Sequence, residues 1–210
     1  MAWLSLSESL ELQVGERPTS AYTFDDSGVC ASIIASLLPF MSISSLVVRS
    51  MRTDEGRAYL DIHGRSIRGL AATHYPPEVI EGWAGRITDG YISWLMGNPD
   101  GELRWLAELN GELVGLGALV IPKSELRACY VVPEAARKGV GTALVTEMER
   151  AAREHGLTML RLDSSTNAEP FYVALGYEVV ERYERVLGSG VRMAAVKMRK
   201  MLGNAQDAIR

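Results

Sequence analysis

With 210 residues, 47% of them apolar and 23% charged, the chain has the composition of an ordinary globular protein with one sizeable core. Its net charge of −4 argues against a general affinity for nucleic acid. Its most apolar stretch, VCASIIASLLPFM (Val29 to Met41), is too short to cross a bilayer and follows two aspartates rather than a basic segment, so neither a membrane span nor a signal peptide is expected.

Residues 1–44 combine weak periodicity with many turn-formers and carry no catalytic residue pattern. They read as a dispensable N-terminal extension, with Met41 as a candidate start. The competing reading is that the apolar run forms a helix docked on the main domain. Regular structure begins with SLVVRSM, a first strand. Thr53 or Asp54 is placed to cap a helix running to about Thr73, with Leu60, His63, Ile67 and Leu70 on one stripe. On that stripe His63 is expected to pack rather than to ligate. Pro77 suits the first turn of a second helix, and residues 88–97 suit a further short one. LRWLAEL and ELVGLGALVI flank Asn110-Gly111, a strong hairpin turn signal. ELRACYVV follows as a third consecutive strand.

After that strand comes VVPEAARKGVGTAL. An apolar run stops at a proline, a basic pair follows, and Gly139 and Gly141 stand at the mouth of a helix. Val140, Leu144, Met148 and Ala151 recur at helical spacing. Glu147, Glu149, Arg150 and Arg153 fall on other faces, and Gly156 is a stop signal. N–H groups at a helix start have no intrahelical partner, and the helix dipole favours an anion there. Glycine lets the backbone approach a ligand closely, so the pattern suits a phosphate. Two phosphate motifs fail in detail. Leu144 replaces the third glycine of a dinucleotide fingerprint, and Thr142-Ala143 replaces the Lys-Ser/Thr of a P-loop. At this level a tight turn without a ligand remains open. LTMLRLDSS reads as a strand. NAEPFYVALGY reads as a short helix capped by Asn167 and ended by Gly176, and two strands joined by Gly188-Ser189-Gly190 close the chain. The two cysteines, Cys30 and Cys129, are far apart, which fits a reduced cytoplasmic protein. The three histidines show no metal-ligand spacing, so no metal is expected.

CYVVPEAARKGVGTAL, NAEPFYVALGY and SIRGLAATHYPPEVIEGW, in this order over about Ser45 to Leu202, resemble the GNAT superfamily of acetyl-CoA-dependent N-acetyltransferases of bacterial type. The resemblance implies an α/β fold with a mixed central sheet of six or seven strands flanked by helices, spanning residues 45–202, with 203–210 as a tail. It implies that Arg137, Lys138, Gly139, Val140, Gly141 and Thr142 present backbone amides to the coenzyme A pyrophosphate. Cys129, Tyr130 and Val131 would pair with the pantetheine arm as another strand would, with Asn167 beside it. Tyr172 would be the general acid, and Glu125 the base acting through a water. The family often has Gln or Arg where Ala136 stands, so weaker side-chain help is expected there.

This chemistry is consistent with the residue types. A phenol, with a reference pKa of about 10, stays protonated at neutral pH and can reprotonate a thiolate, whose reference value is about 8.5. A free strand N–H near Val131 would stabilise a developing oxyanion. The acceptor is read as a primary amine of a small molecule. The alternatives are a protein or peptide amine, or a non-catalytic acyl-CoA sensor. Tyr75, Trp83 and Trp94 are either pocket or core aromatics. The resemblance leaves room for a homodimer.

Overall fold

A computed structural model describes residues 45–203. The N-terminal extension and nearly all of the tail lie outside the described residues. The elements are β1 (Leu46–Ser50), α1 (Gly56–Ser66), α2 (Pro77–Ala84), α3 (Asp89–Gly97), β2 (Leu103–Leu109), β3 (Glu112–Val120), β4 (Glu125–Val131), α4 (Val140–Glu154), β5 (Met159–Ser165), α5 (Glu169–Ala174), β6 (Glu178–Val186) and β7 (Arg192–Met201). A π-helical stretch, Ile67–Ala71, continues α1. The strands form one mixed seven-stranded sheet in the order β1-β2-β3-β4-β5-β7-β6. Among the described strands only β4 and β5 run parallel, and their ladder consists of the single pair Glu125 and Arg161. Beyond that pair the two strands part and open a gap in the sheet. No helix among the described residues is long and apolar enough to cross a membrane.

Local sequence explains most elements. Asn110 and Gly111 take φ of 55° and 86°, the left-handed pair that a tight β2–β3 hairpin turn requires. On α4, Val140, Leu144 and Met148 are fully buried, as their spacing predicts. Their close approach is licensed by the opposite strand. A Cβ on Gly115 would lie 2.9 Å from Val140 Cγ1, and one on Gly117 would lie 3.0 Å from Met148 Sδ. The two bare positions of β3 thus let α4 sink onto the sheet. Each buried aliphatic side chain contributes roughly 1.5–3 kcal/mol. A second apolar cluster joins Ile67, Tyr75, Val79 and Ile80 to Leu187 and Met193, which packs α2 against the β6–β7 hairpin.

Three local expectations are corrected. Neither Thr53 nor Asp54 caps α1. Glu55 holds the cap position without a capping bond, because its carboxylate accepts from Arg49 (2.6 and 2.9 Å) and from the Arg52 N–H (2.7 Å). Asn167 does not cap α5, whose cap position is Ala168. Its amide instead donates to the Leu70 carbonyl at 3.3 Å. Glu149 is buried, not on an outer face of α4, because Lys200 of β7 meets it at 2.7 Å.

Candidate active site

A cleft of about 760 Å³ opens where β4 and β5 part. One wall is the β4–α4 turn with Gly139, Gly141 and Thr142. The floor includes Cys129 and Val131, and α5 contributes Phe171. The facing wall is the π-helical stretch, through Ile67, Leu70 and Ala71. The stretch belongs to SIRGLAATHYPPEVIEGW, which carried part of the family resemblance, but nothing in the sequence marked it as a π turn, which has no residue signature. Its position at a functional site is nevertheless common.

The turn is built for anion contact. Arg137 and Gly139 both take left-handed φ, 60° and 81°. The first intrahelical bond of α4 runs from the Ala143 N–H to the Gly139 carbonyl (2.9 Å). The amides of Val140, Gly141 and Thr142 therefore stand before the first helical acceptor, at the positive end of a 15-residue dipole. Arg137 and Lys138 are exposed beside them. Gly141 is bare for a second reason: a Cβ there would come 3.1 Å from Phe171 Cζ.

Strand β4 supplies the rest of the floor. The Val132 N–H donates to the Val114 carbonyl at 2.9 Å, so Tyr130, of the same parity, also turns its backbone to β3. Cys129 and Val131 then direct their N–H and C=O groups into the gap. Asn167 lines this gap, and its Oδ1 is buried without a hydrogen-bond partner among the described residues. An unsatisfied acceptor beside two open strand residues fits an amide-bearing arm laid along β4.

The chain's other reactive side chains fall into different places. Burial pushes the Cys129 thiol up to about 12, so it is a neutral thiol at pH 7 and a poor nucleophile. Tyr172 is buried, with its ring edge-on to Phe171 (5.0 Å) and Tyr177 (5.6 Å). Burial first, and then the nearby Cys129, Tyr130 and Tyr177, hold its phenol well above the ordinary value. It stands behind Phe171, which forms the visible wall. Glu125 lines neither this cleft nor the one described next. It begins β4, five residues and roughly 16 Å of strand before Tyr130. Both of its oxygens are taken by Arg127, at 3.2 and 3.1 Å. That placement does not suit a base acting on a substrate in either cleft.

A second cleft, of about 470 Å³, lies across β4 from the first. A β-bulge reaches it from the sheet. Ala118 pairs with Ala128 and Leu119 with Leu126, so Arg127 is the extra residue of β4. The bulge interrupts the alternation, and consecutive Arg127 and Ala128 both face this cleft. Trp83 and Tyr130 line both clefts and are bonded to each other, the indole N–H donating to the Tyr130 hydroxyl at 3.2 Å. His63 packs its ring edge against Tyr130 at 4.6 Å. Of the aromatic candidates, Trp83 and Trp94 line the second cleft. Tyr75 is core, its hydroxyl donating to the Ala194 carbonyl and accepting from the Thr166 N–H. No group of three or more metal-ligating side chains occurs among the described residues.

An opened parallel strand pair, with a helix start at one side and a second cleft behind it, is the arrangement that the resemblance to the GNAT superfamily implies. Residues 71–202 match the acetyltransferase (GNAT) domain family, and the chain belongs to it. It is similar to an uncharacterized N-acetyltransferase of Methanocaldococcus jannaschii, 24% identical over 85% of this chain and 84% of that protein. It is also similar to an aminoglycoside N(6')-acetyltransferase type 1 of Klebsiella aerogenes, 29% identical over 58% of this chain and 80% of that protein. Among solved structures, a GCN5-related N-acetyltransferase from Rhodopseudomonas palustris superposes with a TM-score of 0.69. It is 29% identical and covers 76% of this chain and 97% of its own. The protein is thus a GNAT N-acetyltransferase dependent on acetyl-CoA.

Proposed function

We propose that the protein transfers an acetyl group from acetyl-CoA to the primary amine of a small molecule, directly, with both substrates bound at once. The observation that carries this reading is the pair of clefts that meet across β4 at Trp83 and Tyr130. A donor on one side and an amine on the other would face each other through the gap in the sheet. Solved relatives of the same fold bound coenzyme A, in a Thermoplasma acidophilum enzyme, and acetyl-CoA, in a Salmonella typhimurium one. The second cleft is of the size that takes small molecules.

Acetyl-CoA supplies the thioester. The amides of Val140, Gly141 and Thr142 would hold its pyrophosphate, and Asn167 with the open backbone of Cys129 and Val131 would hold its arm. The Val131 N–H, open to the gap, would stabilise the negative charge that develops on the thioester carbonyl oxygen. Tyr172, kept protonated by burial, holds the proton a departing sulfur needs. For that role its hydroxyl must reach past Phe171, so a small rotation of α5 on binding belongs to the reading. The raised Cys129 thiol argues against an acetylated cysteine on the way.

The test is thiol release from acetyl-CoA across a panel of amines, with Gly141→Glu as control. That change places bulk against Phe171 and negative charge among the amides. Loss of acetyl-CoA binding in a folded Gly141→Glu protein is expected, and unchanged affinity would remove the turn from the site.

A further inference from the structure

We infer that the amine acceptor carries an anionic group, a carboxylate or phosphate, at the end remote from its amine, and that Arg86 and Arg185 at the rim of the second cleft receive it. The inference deepens the proposed transfer to a small amine and rests on it. The whole chain is acidic, yet the unpaired charge of this cleft is positive. Among the described residues Glu102 is the only carboxylate lining it, and its side chain is already held by Arg104 at 2.7 Å and Arg127 at 3.0 Å. Arg127 also meets Glu125 at 3.1 Å and pairs with Asp100, which Lys123 reaches at 3.2 Å. Three cations and three carboxylates make that cluster neutral. Arg86 stands near Glu81, but that carboxylate accepts two bonds from Arg68, at 3.0 and 3.1 Å. His63 is neutral at pH 7, its pKa lowered to about 4 by burial and then by Arg68. What remains is Arg86, just after α2, and Arg185, on β6. Neither forms an ion pair among the described residues.

Their place in the lining of this cleft sets the polarity of the ligand. Arg185 is close enough for its charge to act on the Tyr130 hydroxyl, and Tyr130 marks the end that opens to the donor cleft. An amine at Tyr130 and Trp83 would leave its remote end at the two guanidiniums. Aromatic side chains line the same cleft. Tyr91 and Trp94 stack at 5.7 Å and remain 38% and 56% exposed. Exposed stacked aromatics beside unpaired arginines suit an amine with an apolar body and an anionic tail. They disfavour a polyamine, whose second cation would face two arginines.

The experiment uses the full chain and matched amines: 4-(aminomethyl)benzoate against its neutral amide, phosphoethanolamine against ethanolamine, and spermidine as the polycation. Binding is titrated calorimetrically and transfer is followed by thiol release. The anionic member of at least one pair should bind about tenfold more tightly than its neutral partner. Which pair responds separates carboxylate from phosphate. Arg86→Gln and Arg185→Gln should each erase most of that preference, with melting temperature and acetyl-CoA affinity as controls for folding. Arg150→Gln, an exposed arginine on α4, should leave the preference intact. Equal binding within both pairs, tighter binding of spermidine, or no binding of any amine overturns the inference. A preference for the anion that both arginine variants retain overturns the assignment to Arg86 and Arg185. Preferential binding without thiol release overturns the proposed transfer and leaves the inference standing.

Discussion

Gly69, in the middle of the π-helical stretch, lies against the ring of Pro133. A Cβ on Gly69 would overlap Pro133 Cγ and stand 3.2 Å from Pro133 Cβ. This contact ties the wall of the first cleft to the β4–α4 turn, two parts of its lining that are 64 residues apart. A proline ring cannot swing aside as a flexible chain would. Gly69→Val should therefore push the wall outward, with a destabilisation of about 1–3 kcal/mol and at least a tenfold loss of acetyl-CoA affinity. Thermal melts and calorimetric titration measure both. A fully stable variant with unchanged affinity would show that the contact does not shape the cleft.

Tyr172→Phe should lower kcat by about 10² or more, with a smaller effect on acetyl-CoA affinity. The ring is buried and its edge-on contacts are kept by phenylalanine, so the fold should survive. A pre-steady-state assay limited by the chemical step provides the measurement. Full kcat in that assay would make the hydroxyl structural.

Glu125→Gln should affect kcat far less than Tyr172→Phe does. The carboxylate is engaged by Arg127 and lies outside both clefts, so its loss disturbs an ion cluster and not a reacting amine. A small stability loss, on the order of 1 kcal/mol, is expected from the weakened pair. A drop in kcat comparable to that of the tyrosine variant would restore Glu125 as the base.

The pH dependence of stability should carry a signature of His63. Its folded pKa is lowered to about 4, against an ordinary value of about 6.5. Between those values the unfolded chain binds more protons than the folded one. Stability is therefore full above about pH 6.5 and declines as the pH falls towards 4, by about 1–3 kcal/mol from this group. Urea denaturation from pH 7 to pH 4.5 should show a shallower decline in His63→Gln than in the parent. Parallel curves would mean that His63 is freely solvated.

Glu149 is 8% exposed at its side chain and is held by Lys200 at 2.7 Å and by Arg153 at 3.4 Å. Lys200→Met should cost about 3–5 kcal/mol, because it strands a buried carboxylate with one long contact. Adding Glu149→Leu to that variant should recover a large part of the loss. Chemical denaturation of the two variants tests this, and a single variant as stable as the parent would show that water satisfies Glu149.

The order of elements, the hairpin at Asn110-Gly111, the buried stripe of α4 and the paired glycines at its start were legible along the chain. These rest on periodicity, turn chemistry and backbone freedom, which act over a few residues and leave a local trace. The family resemblance added the coenzyme A pyrophosphate as the expected partner of those glycines' amides. Where side chains that leave their own element end up depends on packing between distant segments and left no such trace. Asn167 could have capped its helix, but a carbonyl 97 residues away takes its amide. Glu149 could have faced water, but Lys200 arrives from the last strand. The bulge at Arg127 appears only when β4 is paired with β3, and it turns Arg127 towards Asp100 and Glu102 of the segment before β2, beside Glu125 of its own strand. The second cleft joins His63, Trp83, Tyr130 and Arg185 from four separate elements. No spacing along the chain records that meeting, because it is fixed by the parting of β4 from β5 and by the packing of α2 on the β6–β7 hairpin.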